Sequence, residues 1–118
     1  MDIQREMTNG ETLRIVSRDD LADAYVSLKV ADLGTLADGE APLRRLAEAN
    51  YFGLELGGMA FALPAEGDAL YLTDRQPKVM FEDEESLEEY VEHVETALAD
   101  ATKIVFALEM EADDGGEQ

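Results

Sequence analysis

Residues 42–108 constrain the fold more than any other part of the chain, because their pattern passes from helix to strand and back to helix without a break. A short helical pattern starts at Pro42, which suits a first helical turn because its missing N–H is no loss there. Two alternating apolar runs follow around a turn at residues 66–68. A long run of apolar residues at helical spacing completes the segment. This order predicts a sheet with one long helix packed against it.

The long C-terminal pattern predicts an amphipathic helix. Asp83 is its predicted N-cap, and Glu84 and Glu85 lie where the positive end of the helix dipole favours acidic side chains. The predicted single domain covers residues 1–110, and residues 111–118 are predicted to be an acidic flexible tail. The apolar stripe of the helix recurs every three or four positions: Leu87, Tyr90, Val91, Val94, Leu98, Ala101, Ile104, Val105 and Leu108.

The N-terminal part of the chain predicts strands. Asn9 and Gly10 indicate a hairpin, because both residues tolerate the positive φ of a tight turn. In its second arm Leu13 and Ile15 share one face while Val16 lies on the other, because side chains alternate along a strand. A further alternating run at residues 25–33 adds a third strand, so these segments predict an antiparallel meander.

A middle helix links this meander to the second pair of strands. Asn50 is predicted to end the helix in a left-handed conformation, and Tyr51 and Phe52 are predicted to follow it as apolar anchors. Its predicted buried stripe consists of Leu43, Leu46 and Ala47. The predicted fold is therefore α+β: a twisted antiparallel sheet of about five strands, with the middle helix and the long C-terminal helix packed on it.

The chain is strongly acidic, with 28 Asp and Glu residues against 9 Lys and Arg residues and a formal net charge of −19. This charge repels nucleic acid phosphates and anionic membrane surfaces, so neither is a predicted partner. It is equally compatible with basic protein partners and with acid enrichment for solubility or high salt. No apolar run reaches the roughly 18 residues of a membrane span, and the first residues lack the apolar core of a signal peptide. We therefore expect a cytoplasmic protein without membrane insertion.

No group of residues in the sequence indicates catalysis. His93 is the single histidine and the chain has no cysteine, so neither a nucleophile–base pair nor a thiolate metal site is indicated. Carboxylates are uninformative, because among 28 acidic residues some pair always meets the spacing of a glycosidase. Gly53, Gly57 and Gly58 follow a helix and precede a strand, the reverse of the order in a phosphate-binding loop. We therefore predict no enzyme activity, no cofactor and no metal site.

The apolar residues of the predicted strands are the feature of the sequence that most indicates a function. Some of them must pack under the long helix, but apolar residues of the opposite parity also occur, so the second sheet face is not purely polar. Such a face can accept an added strand or an extended apolar peptide, or a second copy of the chain can cover it. The predicted partner-binding residues are Leu13, Ile15, Val16, Tyr25, Leu70 and Leu72.

The chain resembles the class I type III secretion chaperones, also called the Tir-chaperone family, in the order of five segments: VSLKVADLG, LRRLAEAN, FGLELGGMAFALP, DALYLTDRQP and ESLEEYVEHVETALADATKIVFALE. The resemblance implies a homodimer that binds the N-terminal segment of an effector and keeps it soluble and competent for secretion, without nucleotide or catalysis. Family members usually begin with an amphipathic helix, whereas the pattern here begins with a hairpin. The dimer contacts that the resemblance implies are Leu43, Leu46, Tyr51, Met59 and Phe61.

Two further functions are compatible with the sequence. One is a regulatory module that sequesters a regulator or another chaperone by protein binding alone. The other, which the residues support less, is a small carboxylate-dependent enzyme.

Overall fold

The computed structural model of the chain describes residues 1–51 and 53–116. Its strands are β1 (Asp2–Glu6), β2 (Thr12–Val16), β3 (Asp23–Asp32), β4 (Ala60–Ala62) and β5 (Ala69–Pro77). Its two α-helices are α1 (Glu40–Asn50) and α2 (Glu84–Gly116), and short 3-10 helices lie at Gly34–Asp38, Leu54–Leu56 and Lys78–Phe81. Phe52, a predicted anchor, and residues 117–118 of the predicted tail lie outside the described residues.

The strands form one antiparallel sheet in the order β1-β2-β3-β5-β4. β1, β2 and β3 are the predicted meander, and β4 and β5 are the predicted second hairpin. β5 joins the two groups because it pairs with β3 over nearly its whole length. The predicted α+β fold, with a five-stranded antiparallel sheet and a long C-terminal helix, is therefore confirmed.

The first hairpin turns at Gly10, as predicted. Gly10 has a φ of 84°, and its N–H donates to the Met7 carbonyl over 2.9 Å. The Met7 N–H donates in turn to the Glu11 carbonyl, also over 2.9 Å. A left-handed residue at this point lets the chain reverse and gives the following strand its register.

One face of the sheet is buried, and α2 supplies much of the core on that side. Strand residues of one parity and the apolar stripe of α2 belong to a single cluster of buried side chains. The predicted stripe is buried from Leu87 to Leu108 except at Val91, which is partly buried, and Ala97 is an additional buried member. Asp83 is the N-cap, because its Oδ2 accepts the Ser86 N–H over 3.2 Å. The helix continues to Gly116, into the segment predicted as a tail.

Helix α1 differs from its prediction in two details. Pro42 lies in the first turn as predicted, but Ala47 is exposed and Ala49 is the buried alanine. Asn50 is the last helical residue, and the chain continues in an extended conformation at Tyr51, so the predicted left-handed end at Asn50 is wrong. The left-handed residue comes later, at Gly53, which has a φ of 69°.

Candidate protein-binding surface

Four predicted partner-binding residues lie in the core. Leu13, Ile15, Leu70 and Leu72 are each 0% exposed on the face of the sheet that is buried. A side chain without exposed surface cannot contact a second molecule unless the domain opens. Their assignment to partner binding is therefore corrected: they are core residues.

The two other predicted partner-binding residues lie on the opposite face, which we call the outer face. Val16 and Tyr25 face each other across β2 and β3, and Tyr25 faces Arg75 across β3 and β5. Tyr25 is 44% exposed, so a large aromatic ring is available at the surface. Of the residues predicted for partner binding, the structure keeps these two accessible.

An open groove of about 580 Å³ lies on the outer face, over β2, β3 and β5. Ser27 and Thr73 face each other across β3 and β5 and form a floor of small polar side chains. Lys29 and Tyr71 form the next cross-strand pair on one side, and Tyr25 lies on the other. The groove therefore offers aromatic rings, hydroxyl groups and a cation, which together suit a polypeptide surface.

Charges on the outer face are paired at the surface. Each of three cations contacts a carboxylate: Arg14 with Asp2 at 3.1 Å, Lys29 with Asp32 at 3.0 Å and Arg75 with Asp23 at 2.8 Å. The hydrogen bond from Lys29 to Asp32 raises the pKa of the lysine above its usual value. These exposed pairs contribute little to stability because water screens them. They do make this face less acidic than the net charge suggests.

The backbone of β1 forms an open edge of the sheet. Met7 pairs with Glu11 and Ser17 donates to the Met1 carbonyl, so alternate residues of β1 point their N–H and C=O groups at β2. The residues between them therefore point these groups away from the sheet. In the part of the chain that the structure describes, β1 has no strand on that side. The outward-pointing residues are Asp2, Gln4 and Glu6. The Gln4 carbonyl accepts a hydrogen bond from Arg5 Nη1 over 3.3 Å, so the outward N–H groups are the more accessible part of this edge.

Helix α2 holds this edge in place. Arg5, on the inner side of β1, contacts Glu88 at 3.2 Å. At the tip of the hairpin, the Thr8 N–H and hydroxyl donate to the two carboxylate oxygens of Glu95, over 3.1 and 2.6 Å. Both contacts join the first hairpin to α2 at the surface.

The other edge, at β4, is closed by a side chain. The Asn50 carboxamide donates from Nδ2 to the Phe61 carbonyl over 3.0 Å and accepts the Phe61 N–H at Oδ1 over 2.7 Å. Phe61 is the central residue of β4, whose neighbours Ala60 and Ala62 face β5 residues. Asn50 therefore makes the two hydrogen bonds that a further strand would make with Phe61.

The predicted dimer contacts divide in the same way as the partner-binding residues. Leu46, Met59 and Phe61 are 4%, 0% and 7% exposed, so they are core residues and their assignment to an interface is corrected. Leu43 is partly buried at the rim of a small groove of about 170 Å³ between α1 and β4. Tyr51 is 73% exposed. These two remain available for contact with a second copy.

His93 has a structural contact. Its Nε2 lies 2.7 Å from the Gly57 carbonyl oxygen, so the imidazole joins α2 to the loop after α1. A Cβ at Gly57 would lie 2.8 Å from the imidazole Cε1, so a side chain there would displace the imidazole, and the φ of 61° at Gly57 favours glycine.

A second polar contact joins α2 to β5. The Tyr90 hydroxyl donates to Asp74 over 2.6 Å. Burial and this hydrogen bond to a carboxylate raise the pKa of Tyr90 well above its usual value. This contact holds a neutral phenol against a carboxylate at the edge of the core.

Two residues of these edges, Gln4 and Asn50, are not indicated as edge residues by the sequence pattern. Gln4 lies in a weakly apolar strand, where the alternating pattern alone gives no sign of an open edge. For Asn50 the sequence predicts only a helix end, because its contact with Phe61 depends on how α1 packs beside β4. Only the parity of β1 and β2 could have indicated that Gln4 points outward.

Within residues 1–51 and 53–116, no three His, Cys, Asp or Glu side chains are grouped so as to hold a metal ion. No helix of this part of the chain is long and apolar enough to cross a membrane. The chain matches no family model, no curated protein and no solved structure.

Proposed function

We propose that this protein is a chaperone that holds an extended segment of a partner polypeptide as a sixth strand beside β1. The observation that carries the proposal is the outward direction of the backbone groups of Asp2, Gln4 and Glu6 on an edge fixed to α2. An extended segment bound there makes main-chain hydrogen bonds and continues the outer face, where Val16 and Tyr25 are accessible. Binding of this kind requires no catalytic group.

Charge favours a basic partner segment. The Glu6 side chain lies on the outer face of β1, where it attracts an opposite charge on an adjacent strand, whereas Asp2 on the same face already contacts Arg14 at 3.1 Å. Pairing of β1 with the β1 of a second copy, in antiparallel register about Gln4, would place Asp2 opposite Glu6 and is disfavoured. We therefore expect a segment that alternates apolar and basic residues, with the basic residues over the outer face.

The resemblance to class I type III secretion chaperones supports a specific form of this function. In that form the partner is the N-terminal segment of a secreted effector, the location is the cytoplasm and the working unit is a homodimer. The accessible residues Leu43 and Tyr51 support a dimer contact beside α1. Buried Leu46, Met59 and Phe61 would support that contact from below rather than take part in it.

The proposal can be tested with synthetic peptides and two variants of Gln4. The probe is an acetylated octapeptide of alternating valine and lysine, compared with a peptide of the same composition in two blocks. Gln4→Pro removes the outward N–H but no bond to β2, because that N–H faces away from the sheet. Gln4→Ala keeps the N–H and serves as the matched control.

We expect the alternating peptide to bind the wild type and Gln4→Ala alike, and Gln4→Pro at least ten-fold more weakly, measured by titration calorimetry at low salt. The block peptide should bind more weakly than the alternating one, since charge alone does not give strand pairing. Backbone amides of Asp2, Gln4 and Glu6 should become protected from hydrogen exchange in the complex. Equal binding by Gln4→Pro and Gln4→Ala, with both variants folded, would refute strand addition at β1.

A further inference from the structure

The two edges of the sheet differ in chemistry. β1 carries Asp2 and Glu6, and charged side chains are a common protection of edge strands against pairing with other chains. β4 has the sequence Ala-Phe-Ala and carries no charge. An uncharged apolar edge of this kind pairs readily with a second strand unless something covers it.

Asn50 covers this edge at its central residue. The carboxamide binds both the N–H and the C=O of Phe61, over 2.7 and 3.0 Å, in the arrangement of a residue on a neighbouring strand. The contact is partly buried, and helix α1 carries the side chain to the edge. A competing strand would have to displace both hydrogen bonds before it could pair with β4.

We propose that Asn50 is the residue that closes the β4 edge and thereby prevents pairing between the β4 strands of two copies of this chain. In antiparallel pairing about Phe61, each Ala60 would lie opposite the other copy's Ala62, without charge repulsion. This role concerns the edge away from β1 and does not depend on the proposed binding function. When β4 is closed in this way, a further strand can add to the described sheet only beside β1.

The test uses cysteine pairs, since the chain itself has none. Chains carrying Ala60→Cys are mixed with chains carrying Ala62→Cys under mild oxidation. In the proposed pairing, Ala60 and the other copy's Ala62 would form a non-hydrogen-bonded antiparallel pair. The Cα atoms of such a pair are about 4.5 Å apart, which permits a disulfide. The mixture is prepared in three backgrounds: wild type, Asn50→Ala and Ala49→Gly.

Ala49→Gly is the matched control, because it destabilises the same helix at the neighbouring buried residue and leaves the amide in place. We expect the crosslinked fraction in Asn50→Ala to exceed that in the other two backgrounds at least ten-fold. In the wild type, the Phe61 amide should also be protected from hydrogen exchange. In Asn50→Ala that protection should be lost in dilute solution, where copies do not meet, and should return as the concentration rises and the β4 strands pair.

Equal crosslinking in all three backgrounds would overturn the proposal, whether the common level is high or low. High crosslinking in Ala49→Gly as well as Asn50→Ala would show that loosening α1 is enough and that the amide has no specific part. If Asn50→Ala does not fold, Asn50→Ser replaces it, since its hydroxyl is too short to bond both groups of Phe61 but keeps the position polar. The same outcomes then decide the proposal.

Discussion

Replacing Tyr90 by phenylalanine tests the contact between α2 and β5 with little change in packing. The hydroxyl donates to Asp74 Oδ2 over 2.6 Å, and the ring packs edge-on against Phe81 with 5.2 Å between centroids. Tyr90→Phe keeps the ring and removes the donor. Asp74 keeps the Gln76 side-chain amide at 2.9 Å and the Arg75 N–H at 2.8 Å. The loss is therefore that of one hydrogen bond to a charged group, about 1.5–3 kcal/mol.

The same contact predicts how this difference depends on pH. Burial raises the pKa of Tyr90 in the folded protein, with the bond to Asp74 adding to the effect, so the unfolded chain loses the phenol proton first. As pH rises above about 10, the usual pKa of tyrosine, the unfolded state is favoured and the free energy of unfolding falls. The decrease approaches about 1.4 kcal/mol per pH unit. Tyr90→Phe has no phenol proton to lose at this position. The difference in free energy of unfolding between the wild type and the variant should therefore decrease from pH 10 to pH 11.

The assay is urea unfolding followed by far-ultraviolet circular dichroism, because the chain contains no tryptophan. At pH 7 the variant should lose about 1.5–3 kcal/mol, or roughly 5–12 °C in Tm for a domain of this size. Tyr25→Phe, on the exposed outer face, is the control and should change stability by less than about 0.5 kcal/mol. A difference between wild type and Tyr90→Phe that stays constant from pH 7 to pH 11 would refute the argument.

Two further predictions concern the core and the oligomer. Leu98→Asp should prevent stable folding, because it places a carboxylate at a position 3% exposed, whereas Ala99→Asp on the exposed side should fold; circular dichroism distinguishes them. Light scattering should give twice the chain mass of 13.0 kDa for the wild type, and Leu43→Glu should shift it toward one chain while exposed Ala41→Glu does not. A folded Leu98→Asp, or equal masses for both glutamate variants, would contradict these expectations.

The sequence was sufficient to predict the fold because each element carries its own periodicity. Leu13 and Ile15 alternate with Arg14, and the three- and four-residue spacing of α2 continues through Leu108, so parity and period identify the elements directly. The prediction of which sheet face binds a partner was wrong for four of the six residues, which lie on the buried face. A single long helix can cover one sheet face, and the more apolar parity set belongs under it. Leu70 and Leu72 belong to that set, so the signal was present in the sequence.

The edges could not be predicted in this way. Whether Gln4 lies on an outer or a central strand depends on the order β1-β2-β3-β5-β4, which places β5 between β3 and β4 and leaves β1 without a neighbour on one side in the described chain. The amide of Asn50 reaches Phe61 across eleven positions of sequence through the packing of α1 beside β4. The local pattern shows neither that β1 is an edge strand nor that Asn50 reaches Phe61.

Charge and edge chemistry together give a reason why an open β1 strand need not pair with the β1 strand of another copy. Two copies that approach through β1 bring together like charges at Asp2 and Glu6 and two chains of net charge −19, so self-pairing is opposed at both short and long range. A basic segment meets the opposite situation, since it neutralises the edge and is attracted over the Debye length of about 10 Å at 0.1 M salt. Discrimination by charge should weaken as salt rises, whereas closure of β4 by a hydrogen-bonded amide should not. If both proposals hold, strand pairing between copies is opposed at the two sheet edges by mechanisms of different salt dependence, and a partner strand adds at β1, where a basic segment reverses the repulsion.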